Sequence, residues 1–121
     1  MARILIVEDS ADNMKLFRAV LTLRGHDVAG VSGGDGLAEA MTETDPELVL
    51  MDIQLPGRDG FALLQEIREK APDQRVVALT AHAMSGDRER ALAAGFDGYI
   101  TKPIDIHRFP EQVVRALAGE L

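Results

Sequence analysis

The sequence predicts a doubly wound α/β domain with a five-stranded parallel sheet in the order 2-1-3-4-5. Three observations predict it. Short aliphatic or β-branched runs recur at five places along the 121 residues. Stretches with the apolar spacing of helices separate them. The runs read as continuous apolar segments, as strands covered on both faces do, and strand–helix alternation of this kind implies a parallel sheet between helical layers.

The first strand is "RILIV" at 3–7. Met14, Phe17, Val20 and Leu21 then share one helix face, and Gly25 is a natural stop. "DVAGV" at 27–31 is the second strand; Leu37 and Met41 make a weaker helical stripe ended by Asp45-Pro46. "ELVLM" at 47–51 is the third strand, and Phe61, Leu64 and Ile67 mark a helix ended by Pro72. "RVVAL" at 75–79 follows, then a helix capped by Ser85 and running to about Ala94, with Gly95 as its stop. That fourth helix has the thinnest apolar stripe, with Leu92 its only large aliphatic residue. "GYI" at 98–100 is the fifth strand, and Val113, Val114 and Leu117 mark the fifth helix. Proline is tolerated only in a first turn, so Pro110 either starts regular helix near 107 or later, or distorts its first turn; both readings stand.

The length suits one domain over residues 1–121, large enough to bury a core without staples. With no cysteine, disulfides and thiolate metal sites are excluded. Thirteen basic against twenty acidic side chains give a formal charge of −7, which repels nucleic acid and anionic membranes. No apolar run is long enough to span a bilayer, and Met1-Ala2-Arg3 leads straight into the first strand without a signal peptide. A soluble cytoplasmic domain is the expectation.

In open α/β sheets, ligands bind outside the carboxyl ends of the strands at the topological switch point, here between strands 1 and 3. Those strands end in Glu8-Asp9 and Asp52, while strand 4 ends in Thr80 and strand 5 is followed by Lys102. Three carboxylates brought together repel one another unless a cation compensates. Mg²⁺ suits such a site, because a few carboxylates, waters and a substrate phosphate usually hold it. Lys102 adds a compact positive charge and Thr80 a hydroxyl donor, so the set fits phosphoryl transfer onto a carboxylate. Each residue also has a plain reading: the acidic residues start turns or cap helices, Asp9 or Ser10 caps the first helix, Thr80 fills a strand and Lys102 is solvated. The joint placement on one sheet edge carries the chemical reading.

The segments "ILIVEDS", "LVLMDIQLPGRDG", "ALTAHAM" and "GYITKPID" occur in order at the spacing of response regulator receiver domains, and the resemblance covers essentially the whole chain. It looks most like single-domain regulators of the DivK type, with the receivers of hybrid histidine kinases almost as similar. The resemblance implies a flavodoxin-like, CheY-like (βα)5 fold. It implies that Asp52 accepts phosphate from a histidine kinase or a histidine phosphotransfer protein. Asp9 would bind Mg²⁺ directly and Glu8 mostly through water, with Asp52 and the backbone carbonyl of Gln54 completing the protein ligands. Thr80 and Ala81 would bind the phosphoryl group, Lys102 would pair with it, and Thr80 and Tyr99 would form the switch. The Lys102-Pro103 peptide resembles one that is cis in the family. Glu8 stands where Asp is common, and Gln54 and His82 sit where relatives tune phosphate lifetime; His82 also reads as an exposed loop residue, and Tyr99 as a half-buried strand aromatic.

By this resemblance the chain is a signalling switch without separate substrate turnover. It would act as a monomer or weak dimer on a downstream protein partner, without direct nucleic-acid or membrane contact, through helix 4, strand 5 and helix 5. It can equally be a receiver excised from a hybrid kinase or larger regulator. Three other functions compete. A flavodoxin-like FMN carrier needs a phosphate-cradling first loop, and "VEDSADN" would repel phosphate. A small Mg²⁺-dependent phosphatase would place its acid beside the nucleophile and carry a cap, and neither is present. A scaffold with a vestigial acidic site is the third.

Overall fold

The computed structural model describes residues 2–53, 55, 60–80 and 87–120. Five strands alternate with five helices: β1 Arg3–Val7, α1 Ala11–Leu23, β2 Asp27–Val31, α2 Leu37–Thr44, β3 Leu48–Asp52, α3 Gly60–Lys70, β4 Val76–Thr80, α4 Asp87–Ala94, β5 Gly98–Thr101 and α5 Phe109–Leu117. The sheet is parallel in the order β2-β1-β3-β4-β5, the predicted doubly wound arrangement. Ile6 pairs with Leu50, and Asp52 with Leu79. β1, β3 and β4 therefore end side by side, which places Glu8, Asp52 and Thr80 along one sheet edge.

Two apolar layers cover the sheet. On one face Phe17 and Leu21 of α1 and Phe109, Val113 and Ala116 of α5 pack on Ile4, Ile6, Leu48, Leu50, Val77 and Leu79. Leu37 of α2, Leu63, Leu64 and Ile67 of α3 and Ala91 of α4 pack on the other face against Leu5, Val7, Val49, Met51 and Ala78. Each fully buried large aliphatic contributes about 1.5–3 kcal/mol of transfer free energy, so alternate strand residues glue both layers to one sheet. Two strands depart from the doubly covered expectation. β2 has no buried residue and β5 only alternate ones, because this strand order puts both at the edges.

The boundaries differ from the expected ones where polar residues close a strand. β3 and β4 each run one residue further, to Asp52 and Thr80, because these residues still pair with their neighbours. Ser10, not Asp9, caps α1, its hydroxyl accepting from the Asn13 N–H at 3.2 Å. Gly25 follows the C-cap with a φ of 88°, as a helix stop requires. α5 starts at Phe109 with Pro110 in its first turn, which settles that ambiguity in favour of a regular start. Its Val114 is 55% exposed, and Phe109 takes the core place instead, its ring 5.4 Å from that of Phe17. In α3, Leu63 joins Leu64 and Ile67 in the core, while Phe61 is only half-buried. Ser85, the expected cap of α4, lies outside the described residues. The Lys102-Pro103 peptide is cis.

Candidate functional site

The crevice at the sheet edge is built by strand register. Glu8 follows β1, and its N–H donates to Val31 O at 3.1 Å, holding the residue in line with the sheet. Its side chain is turned inward and buried, and Oε2 accepts from the Ser10 N–H at 3.1 Å. Because Ser10 supplies the helix cap, the exposed Asp9 carboxylate is left to the crevice. Asp52, last in β3, is 4% exposed. Carboxylate oxygens of Glu8, Asp9 and Asp52 all lie within 4.8 Å of one another.

Lys102 reaches this cluster from beyond β5. Its Nζ lies 2.9 Å from Asp52 Oδ2 and 2.6 Å from Glu8 Oε1. The Lys102 N–H also donates to Thr80 O at 2.6 Å, fixing the lysine to the end of β4. Thr80 itself is buried. Its place one step past the Asp52–Leu79 pair puts it on the same edge.

The electrostatics follow from burial. Desolvation pushes the Glu8 carboxyl above its ordinary value of 4.5; the Lys102 contact and the Ser10 N–H oppose this, and Asp52 adds to it. For Lys102, burial favours the neutral form, but the two carboxylate contacts outweigh it and hold the ammonium above its usual 10.5. One ammonium faces three carboxylates. The buried Glu8 Oε1 has the Lys102 ammonium, 2.6 Å away, as its ion-pair partner. Two excess negative charges in an all-oxygen donor set fit a hard divalent cation.

Of the residues singled out in the sequence, Glu8, Asp9, Asp52 and Lys102 are brought together, and Thr80 lies on the same edge. Gln54, Ala81 and His82 lie outside the described residues. Tyr99 is half-buried on the face covered by α2, α3 and α4, with the Arg88 guanidinium carbon 5.2 Å from its ring centroid. Two contributors were missed. Gly60 opens α3 where a Cβ would come within 2.6 Å of Ile53 Cα and 2.8 Å of Asp52 O, so a side chain there would collide with the backbone that presents Asp52. Its signal was the glycine at the start of an apolar stripe. Arg88 carried no signal, since its contact with Tyr99 depends on how α4 lies over β5.

Comparison with known proteins places this geometry. The response regulator receiver domain family matches residues 4–114. The polar-differentiation response regulator DivK of Brucella ovis is 38% identical over 112 residues, covering 91% of both chains. The sensor protein GacS of Pseudomonas syringae is 36% identical over 118 residues, which span 93% of this chain and 13% of that protein. Among solved structures, NtrX from Brucella abortus superposes with a TM-score of 0.91 at 32% identity, over 98% of this chain and 28% of that one.

Proposed function

Since this chain belongs to the response regulator receiver family, signalling modules of two-component systems rather than turnover enzymes, we propose that Asp52 is its phosphoacceptor. The donor would be a histidine kinase or a histidine phosphotransfer protein, and residues 1–121 would act as one receiver unit. The observation that carries this reading is the Lys102 ammonium bridging Asp52 and Glu8 within a cluster of three carboxylates.

In the proposed step, an Asp52 carboxylate oxygen attacks the phosphorus of a phosphohistidine. The P–O bond forms as the N–P bond breaks, and the electron pair returns to the imidazole of the donor. Lys102 sits where it can pair with the arriving phosphoryl oxygens, and the Thr80 hydroxyl would donate to one of them. Asp9 and Asp52, with the carbonyl of Gln54, would hold Mg²⁺, and Glu8 would act on it through water. Bound there, the ion would offset the repulsion between carboxylates and phosphoryl oxygens. Positioning and charge neutralisation then supply most of the rate.

Thr80 drawn toward the phosphoryl group would shift the segment after β4 and favour an inward Tyr99. The consequence is a population shift of the surface formed by α4, β5 and α5, read by a protein partner rather than by nucleic acid or membrane. No described helix is long and apolar enough to cross a membrane; a cytoplasmic monomer or weak dimer is part of the proposal. The similarity to a short part of GacS favours a second reading, a receiver module within a hybrid kinase; whether the reading frame continues past Leu121 separates the two.

The test is chemical. With Mg²⁺ and acetyl phosphate, intact-mass measurement should reveal one added phosphoryl group, stable in acid and lost in base. Asp52→Asn should gain none; equal labelling of that variant would overturn the assignment.

A further inference from the structure

α2 and α3 leave a hollow of about 540 Å³ between them. Its floor is apolar: Leu37 and Ile67 are each 4% exposed, and Met41 and Ala71 are half-buried beside them. Its rim is acidic. Asp35, Glu39, Asp45, Glu66 and Glu69 are exposed there, with Lys70 as the one basic residue among the described lining. Five carboxylates against one ammonium leave an excess of four, over half of the chain's formal −7, in one place. Among the described residues Asp35, Glu39 and Glu69 have no ion-pair partner, and Asp45 has only Arg3 at 3.9 Å.

We propose that this hollow is a docking site for a basic amphipathic segment of a partner protein, engaged whether or not Asp52 carries phosphate. A lysine or arginine side chain has an apolar stem and a cationic tip. An apolar floor within a carboxylate rim is the complement of that shape. Stems would lie on Leu37, Met41 and Ile67 while tips meet Glu39 and Glu69. α2 has eight residues, so the wall it forms is about 12 Å long, room for roughly two turns of a partner helix. A metal ion does not suit this rim. Among the described residues, only Glu8, Asp9 and Asp52 bring three acidic oxygens within 4.8 Å of one another. The rim carboxylates are instead spread along α2, α3 and their ends, which suits charges spaced along a chain. The same negative field repels nucleic acid and anionic bilayers.

The position of the hollow separates it from the switch. None of its described lining residues belongs to the carboxylate crevice, α4, β5 or α5. α3 stands between the hollow and α4: Gln65 and Arg68 donate to the carbonyls of Ala94 and Gly95 at the α4 end, while Glu66 and Glu69 face the hollow. A partner tethered here stays near in both states of Asp52, and a separate surface is left to report which state it is. Docking itself is independent of the receiver chemistry; only its indifference to phosphate rests on that reading.

The experiment titrates the labelled full chain in Mg²⁺, followed by amide NMR, with short blocked peptides of Lys/Leu, Gln/Leu and Glu/Leu spaced for one helical face, and with spermidine. The Lys/Leu peptide should shift residues 34–46 and 66–74, weaken with added salt, and bind equally with and without beryllofluoride. Ala38→Arg puts bulk and positive charge on an exposed lining position and should weaken binding about tenfold. Glu39→Gln with Glu69→Gln should weaken it about fivefold. Asp12→Asn with Glu111→Gln, the same loss of charge on exposed positions elsewhere, should leave it unchanged. Equal weakening by that second pair, equal binding of the Gln/Leu peptide, or tighter binding of spermidine than of the Lys/Leu peptide would overturn the docking site. An affinity that changes with beryllofluoride would overturn its indifference to phosphate. If beryllofluoride shifts nothing near Asp52, the receiver reading fails, and the Lys/Leu result still decides the docking site.

Discussion

Glu8 is the residue on which the metal-free site is least at ease. Burial raises its pKa above 4.5, so the folded chain holds that proton more tightly than the unfolded chain. Between 4.5 and the raised value the folded state carries more protons, and the stability slope with pH is negative. The contribution is therefore complete below 4.5 and is lost as pH rises through the folded value. Lys102 is also raised, above 10.5, so it stays charged across this window and does not confuse the slope. In chelator-containing buffer, wild type should gain thermal stability relative to Glu8→Gln as the pH falls from neutrality toward 4.5. A melting-temperature difference that is flat across that range would mean that Glu8 is not desolvated as described.

At the scale of elements, the junction of β3 with α3 presents Asp52 and tolerates no side chain at Gly60. Gly60→Ala would drive a Cβ against the Ile53 and Asp52 backbone, 2.6 and 2.8 Å away. Overpacking against atoms that cannot rotate aside costs about 1–3 kcal/mol, and urea denaturation should report a loss in that range; an unchanged midpoint would mean that the junction yields freely. α4 is the contrasting element. Only Ala91 of its described side chains is fully buried. At its C-terminal end it is tied to α3, where Gln65 donates to Ala94 O at 3.3 Å and Arg68 to Gly95 O at 2.7 Å. A helix with few buried side chains of its own is inexpensive to tilt. Much of this was legible in the sequence, because covered strands and amphipathic helices differ in period, and because Glu8, Asp52 and Thr80 each close an apolar run. The edge exposure of β2 was legible in the predicted strand order but not in its residues, since Val28 and Val31 look the same in an edge strand as in a central one. The swap of Val114 for Phe109 was hidden as well, because Pro110 left open where α5 begins.

For the whole molecule, the account joins an excess of negative charge to a switch. A cation that binds the assembled carboxylates but not the unfolded chain stabilises by mass action, about 2.7 kcal/mol at a hundredfold excess over its dissociation constant. Mg²⁺ should therefore raise the melting temperature of wild type, and Asp9→Ala should lose most of that rise; equal responses would remove Asp9 from the ligand set. The central claim is larger, that occupancy at Asp52 is transmitted to α4, β5 and α5. Amide NMR before and after addition of beryllofluoride, a phosphoryl mimic, in the presence of Mg²⁺ tests it most directly. The account predicts shifts around Asp52, Thr80 and Lys102 that extend through residues 87–101 with Tyr99 among them, all absent in Asp52→Asn. Shifts confined to the carboxylate crevice, with α4 and β5 silent, would contradict it.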